Sequence, residues 1–283
     1  MKTRFFTLIA CLLLIATCGF AKSKVIEGNG KLITKEIAIK DYDAISALGG
    51  AVIEYEQSTA SPYLSVTVDE NILPLLEIKM KGKTLSISYK EKDRDDKYET
   101  TIINGRKTYV NNGYSISPTR YVIKTNSQTL KDINLVGGCR MTIESDFKAD
   151  KLSANIAGSG NIDFSQSTDL HKGDFSVAGS GEINLRKFAA TNLNCSVAGS
   201  GEIKLNGKAD RGNFSVAGGG DIYGFNCELR KGESSVAGGG NIEIYATDQL
   251  DSSVAGGGKI RYKGNVAVNK SIVAGGSIKK VDE

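Results

Sequence analysis

The residues most able to do chemistry form a series, Asn161, Glu182, Glu202, Asp221, Asn241 and Lys259, each standing just before an isoleucine. Their even spacing predicts that the carboxylates of Glu182, Glu202 and Asp221 stack in successive turns of one repeating structure. Such a column could take up calcium or a sugar, and with nearby Lys204 it holds the groups of an acid and base pair for cutting polysaccharides. No cation is required, however: like charges about 4.8 Å apart in water repel by only about 0.9 kcal/mol, and salt lowers this further. A second series, Asn155, Ser176, Ser196, Ser215, Ser235 and Ser253, puts small hydrogen-bonding side chains along the same exposed side. Ser176, Ser196, Ser215, Ser235, Glu182, Glu202 and Asp221 are therefore the candidate binding face.

Other familiar chemistry lacks its partners. His171 is the single histidine, with no ligand or acid-base partner placed beside it by the sequence. Gly256-Gly257-Gly258-Lys259 superficially resembles a phosphate loop, but no Ser or Thr follows the lysine and its glycines belong to a repeat. Cys139, Cys195 and Cys227 are odd in number and lack zinc-site spacing, so no disulfide framework is expected. Cys195 falls in a core-facing position, where a thiol acts as a small hydrophobe. The sequence predicts no catalytic set, no metal and no cofactor.

What positions these residues is a repeat: apolar, Ala, Gly, Ser or Gly, Gly, polar, Ile. It starts at Ile156, Val177, Val197, Val216, Val236 and Val254, with degenerate copies at Val136 and Val273. Within one copy, Phe175, Val177, Ile183 and Leu185 share one parity and Ser176, Glu182 and Asn184 the other, the period of two expected of strands. Helix is excluded, because three glycines in five residues would each cost about 1 kcal/mol in a helix interior. A unit of about 20 residues cannot enclose a core alone and must stack on its neighbours. The expected fold is all-β, a right-handed single-stranded parallel β-helix with about 20 residues per coil in the C-terminal half. Valine and isoleucine ladders would stack at about 4.8 Å, giving about eight rungs. The leucine spacing of a horseshoe and the nine-residue period of a calcium-binding roll are both missing.

Residues 24–135 read as less regular and wider coils of the same axis, with strands expected near 25–26, 32–39, 51–55, 64–68, 85–89 and 121–124 and a short helical turn within 69–76. Ala44 to Ile53 echoes the later copies. Residues 91–118 open with a charge run and read as a loop or hairpin excursion. Residues 136–280 hold the glycine-rich repeats, and residues 22–283 read as a single domain.

The chain begins with Lys2 and Arg4, an apolar run and the small-residue stretch Thr17-Cys18-Gly19-Phe20-Ala21, the three regions of a secretory leader. Two processing routes fit: cleavage after Ala21, or a variant lipobox in which Cys18 is acylated. Without Lys2 and Arg4 the formal charge falls from +4 to +2, which gives no basis for nucleic-acid binding. No later apolar stretch approaches the roughly 18 to 20 residues that span a bilayer. Export to the periplasm, the outer-membrane face or the cell surface is expected.

At Tyr42-Asp43-Ala44-Ile45 with Gly49-Gly50, at Val66 through Leu73 with Thr84-Leu85-Ser86-Ile87, and in the Ala-Gly-Ser-Gly-x-Ile copies, the chain resembles a family. These are the auto-transporter adhesin head domains, or GIN domains, of exported proteins in Bacteroidetes and other bacteria. The resemblance covers roughly residues 26–280 and implies a β-helical fold in the cell envelope, with no catalytic residues. The leading functional expectation is thus a non-enzymatic surface protein that presents a flat repetitive polar face to a glycan or protein. The alternatives are an envelope structural component that self-associates through its terminal rungs, and a polysaccharide lyase or hydrolase.

Overall fold

The computed structural model describes residues 25–90, 99–103, 106–110 and 115–281. The leader at 1–21, Cys18 with its lipidation, and part of the 91–118 excursion lie outside the described residues. From Phe147 to Ala255 the chain winds through five long strand segments, Phe147–Gly158, Asn161–Gly179, Glu182–Gly199, Glu202–Gly218 and Asp221–Gly238, then a sixth, Asn241–Ala255. Each pairs in parallel with the next. The result is a β-solenoid of about seven turns, some 20 residues apart.

Alternation decides what faces inward. Ile162, Ile183, Ile203, Ile222, Ile242 and Ile260 align in one fully buried ladder, and Val177, Val197, Val216, Val236 and Val254 in another. Full burial of each such side chain contributes roughly 1.5–3 kcal/mol. Cys195 lies in the core between Phe175 and Phe214 of the neighbouring coils. Phe147, Phe164 and Phe175 pack edge to face with centroids 5.8 and 6.0 Å apart, the geometry favoured by the ring quadrupole.

Between the two ladders the chain bends through glycine for two separate reasons. Gly179 has φ +124°, and Gly158, Gly199, Gly218, Gly238 and Gly256 repeat that left-handed conformation, which L side chains avoid. Gly181 instead lacks room: a Cβ there would lie 2.7 Å from both the Gly160 carbonyl oxygen and Ile156 Cγ2. The pairing carries on through the bend, where the Ser180 and Glu182 amides donate to the carbonyls of Gly158 and Gly160 at 2.9 and 3.0 Å.

The flanking copies differ from expectation by one residue. Leu135, not Val136, pairs with Ile156, and Ile272, not Val273, pairs with Val254. Val136 and Val273 therefore take the outward alanine position and stand 41% and 64% exposed. Both pairs are doubly apolar, so alternation could not fix their frame, and a slip of one residue exchanges the faces. In the last copy Ala274 takes the place of the left-handed glycine and adopts φ 63°.

The first part of the fold is mixed rather than purely parallel. Ala44–Gly49 and Val52–Gln57 continue the parallel stack, with Leu48-Gly49 in register with Val136-Gly137. Leu32–Glu36, Leu64–Asp69 and Leu76–Lys81 add antiparallel pairings, which the spacing did not predict. Leu73–Leu75 forms a single 3-10 turn. Glu99–Ile103 pairs antiparallel with Arg106–Val110.

The interior here includes hydroxyls. Tyr42 bonds Thr125 Oγ1 and Tyr55 bonds Ser127 Oγ, each at 2.9 Å. Burial pushes the Tyr55 phenol up to about 12, partly offset by the Ser127 bond. Asp69 is a clasp: its carboxylate accepts the Gly30 amide and the Thr119 amide, both at 2.8 Å. Burial alone would raise its pKa, but the bonds from Gly30, Thr119 and Arg120 outweigh this and hold it below the ordinary value.

Candidate binding surface

Parallel pairing in register places every copy of a side chain above its equivalent, at about 4.8 Å intervals. Ser176, Ser196, Ser215 and Ser235 stand in one such column. Ser196 Oγ donates to Ser176 Oγ at 3.2 Å. The column is longer than its sequence signal. Through the backbone register it runs from the buried Ser86 to Ser46, Asn134 and Asn155 at the surface, then the serines to Ser253 and Ser271. Ser86, Ser46, Asn134 and Ser271 had no periodic signal, because the rungs that carry them are separated by irregular lengths of chain.

Two parallel columns flank it. On one side lie Ala178, Ala198, Ala217, Ala237 and Ala255, all exposed. On the other lie Asp174, Asn194, Asn213, Glu233 and Asp251, where Asn194 Nδ2 donates to Asp174 Oδ1 at 2.6 Å. Shallow depressions of about 260, 280 and 580 Å³ lie along these columns. Small side chains leave the face open to a flat partner.

Glu182, Glu202 and Asp221 do stack in successive rungs, between Asn161 and Asn241. They stand across the glycine bend from the serines. One lysine serves two of them, and the third accepts from a neutral amide. Lys204 Nζ sits 2.9 Å from Glu182 Oε1 and 3.1 Å from Glu202 Oε2, and the bond to Glu182 pushes its ammonium pKa up. Asn241 Nδ2 donates to Asp221 Oδ1 at 2.7 Å. The lysine that could serve as a base in polysaccharide cleavage is thus held as a cation between two of the acids. Among the described residues no group of three or more His, Cys, Asp and Glu could hold a metal ion, and His171 is exposed.

With this geometry, residues 41–266 match the family model described as "Putative auto-transporter adhesin, head GIN domain". The chain belongs to this family. Solved relatives share the fold over almost the whole of this GIN-domain chain. A "putative lipid binding protein" from Parabacteroides distasonis is 41% identical, with TM-score 0.83 over 92% of this chain and 100% of that one. A "putative adhesin" from Parabacteroides merdae is 30% identical, with TM-score 0.80 over the same shares. Another "putative adhesin" from P. distasonis is 29% identical, with TM-score 0.80 over 91% of this chain and all of that one. A comparison with curated proteins gave no match. None of the helices among the described residues is long and apolar enough to cross a membrane.

Proposed function

We propose that the chain is a non-enzymatic, exported envelope or surface protein that works as an adhesin-type binding module. Its contact face for a glycan or protein is the Ser and Asn column, with Ser176, Ser196, Ser215 and Ser235 at the centre and Glu182, Glu202 and Asp221 bordering it across the bend. The observation that carries this reading is the length of the accessible column, from Ser46 to Ser271, on a surface of small side chains. Equivalent groups repeated at strand spacing favour a partner that is itself extended or repetitive, because many weak contacts then add through effective concentration. Family membership supports the same class of function. The pairing of Lys204 with Glu182 and Glu202 favours binding over turnover. The interior is filled by its own ladders, so we assign the contact to the outside even though one relative carries a lipid-binding description.

Removal of the leader or acylation of Cys18 would put this face in the envelope. Self-association is a second reading, motivated by Ile272 and Val273, which the last described coil leaves 48% and 64% exposed; sedimentation showing a monomer at high concentration counts against it. The test of the main reading is an array of glycans and matrix proteins probed with the secreted chain and with a Ser196→Arg, Ser215→Arg variant. Binding by the native chain and its loss in the variant, with an unchanged circular dichroism spectrum, is expected. Blank arrays, together with cells that adhere equally with and without the gene, would sink the reading.

A further inference from the structure

We propose that a separate depression around Tyr223 is a binding site for a neutral hexose oligosaccharide. It measures about 430 Å³ and opens where Asn184, Arg186, Lys204, Asn206, Tyr223 and Asn226 converge. It does not use the serine column, although its Lys204 and Tyr223 touch the bordering Glu182, Glu202 and Asp221.

Its location follows from a break in the repeat. Asn184, Lys204 and Tyr223 occupy successive rungs of one outward column, and Asn206 pairs with Asn226 where the register between their two strands resumes. Between these columns the register slips, at 185/188, 204/206 and 224/228. The coils bulge by different amounts here, which breaks the ladder and opens a hollow. Asn184 and Tyr223 are two strand spacings apart, about 10 Å, so the site has length as well as depth. The bulge that follows Tyr223 reaches past the next coil to the one beyond it, where Lys263 Nζ and Arg261 Cζ lie 4.9 and 5.6 Å from the centre of the Phe225 ring. Such cation and ring contacts hold the hollow in shape before a ligand arrives.

The chemistry of the wall selects the ligand class. Tyr223 is 36% exposed and offers an apolar ring face with a polar tip, which suits the C–H face of a pyranose. The amides of Asn184, Asn206 and Asn226 have no side-chain hydrogen bond among the described residues, and each can both donate and accept. Sugar hydroxyls do the same, so three free amides around an exposed ring match a carbohydrate better than an ion or an apolar chain. Both cations at the wall are already neutralised: Arg186 Nε lies 3.0 Å from Asp163 Oδ1, and Lys204 is held by Glu182 and Glu202. An anionic sugar would have to displace these carboxylates, whereas a neutral one uses the amides directly.

The test uses the secreted full chain, with neutral gluco-, manno- and galacto-oligosaccharides as probes and oligogalacturonate as the anionic comparison. Saturation-transfer NMR and calorimetry should find binding of at least one neutral series. Tyr223→Ala should weaken it about tenfold or more, as expected of an aromatic anchor at the centre of a contact. Tyr223→Phe keeps the ring and should retain most of the affinity, and the Asn206→Ala, Asn226→Ala pair should lose it without loss of fold. Ser196→Arg should leave it unchanged, which separates this site from the serine face. No binding of any neutral probe at millimolar concentration, equal binding by Tyr223→Ala, or a preference for oligogalacturonate would each overturn the proposal.

Discussion

Around Ala47 and Cys139 the solenoid fills its interior with side chains, whereas from Gly160 onward it brings backbone against backbone at the same place in the coil. The inner position of the bend is Ala51, then Cys139, in the early rungs, and Gly160, Gly181, Gly201, Gly220, Gly240 and Gly258 in the later ones. Ala51 and Cys139 are both fully buried. What changes is the neighbour one rung earlier. A Cβ at Gly201 would meet Val177 Cγ1 at 2.5 Å, and one at Gly220 would meet Val197 Cγ1 at 2.6 Å. Cys139 has Ala47 in that place. Glycine at the bend and valine in the ladder are thus one choice made twice. The branched side chain takes the volume that the inner residue gives up, as close packing of the interior demands.

The greatest loss comes from adding a side chain to the later coils. Gly201→Val should lower stability by about 3 kcal/mol or more, since overpacking and backbone displacement coincide, read as a fall in the urea midpoint at unchanged slope. A double-mutant cycle probes the earlier rung. Ala47→Val alone should cost about 1–3 kcal/mol by crowding Cys139, while Ala47→Val with Cys139→Gly rebuilds the later pairing and should recover about 1 kcal/mol or more of that loss. Additive single effects in denaturation would show that the two positions do not share volume. The smallest effect is acidic and local. The Asp69 pKa is lowered in the fold, so its contribution is present above the ordinary carboxylate value and is lost as pH falls below that value through the lower folded one. Protection of the Gly30 and Thr119 amides, corrected for intrinsic exchange, should therefore fall in that acidic range before any change at Ser180 or Ser200. An equal fall in both regions would remove the distinction.

Legibility in the sequence follows the same division. The later coils could be read because valine, glycine and isoleucine return at nearly constant intervals and alternate in parity with polar neighbours. At Leu135-Val136 and Ile272-Val273 that alternation fails, and the repeat pattern points to a frame one residue late. The strand Leu76–Lys81 and the antiparallel pairings of Leu64–Asp69 depend on partners far away in sequence, which no local period records. For the surface, the serines from Ser176 to Ser253 were legible by period, while Ser46, Ser86 and Asn134 share the column only through the register of distant strands. Asn184, Asn206, Tyr223 and Asn226 come together because coil lengths differ, and a hollow made by a broken period gives no periodic signal.

The hydrogen bonds that join each coil to the next, such as those from Ser180 to Gly158 and from Ser200 to Gly179, run along the axis of the rod. A pull between its two ends loads them along their length, a few at a time at the exposed rim, instead of shearing a whole row together. Under tension the rod pays out chain coil by coil, and each coil of about 20 residues adds roughly 65–70 Å of extended length. A molecule anchored at one end and attached to a moving surface at the other would thus yield gradually and dissipate the force before its grip fails.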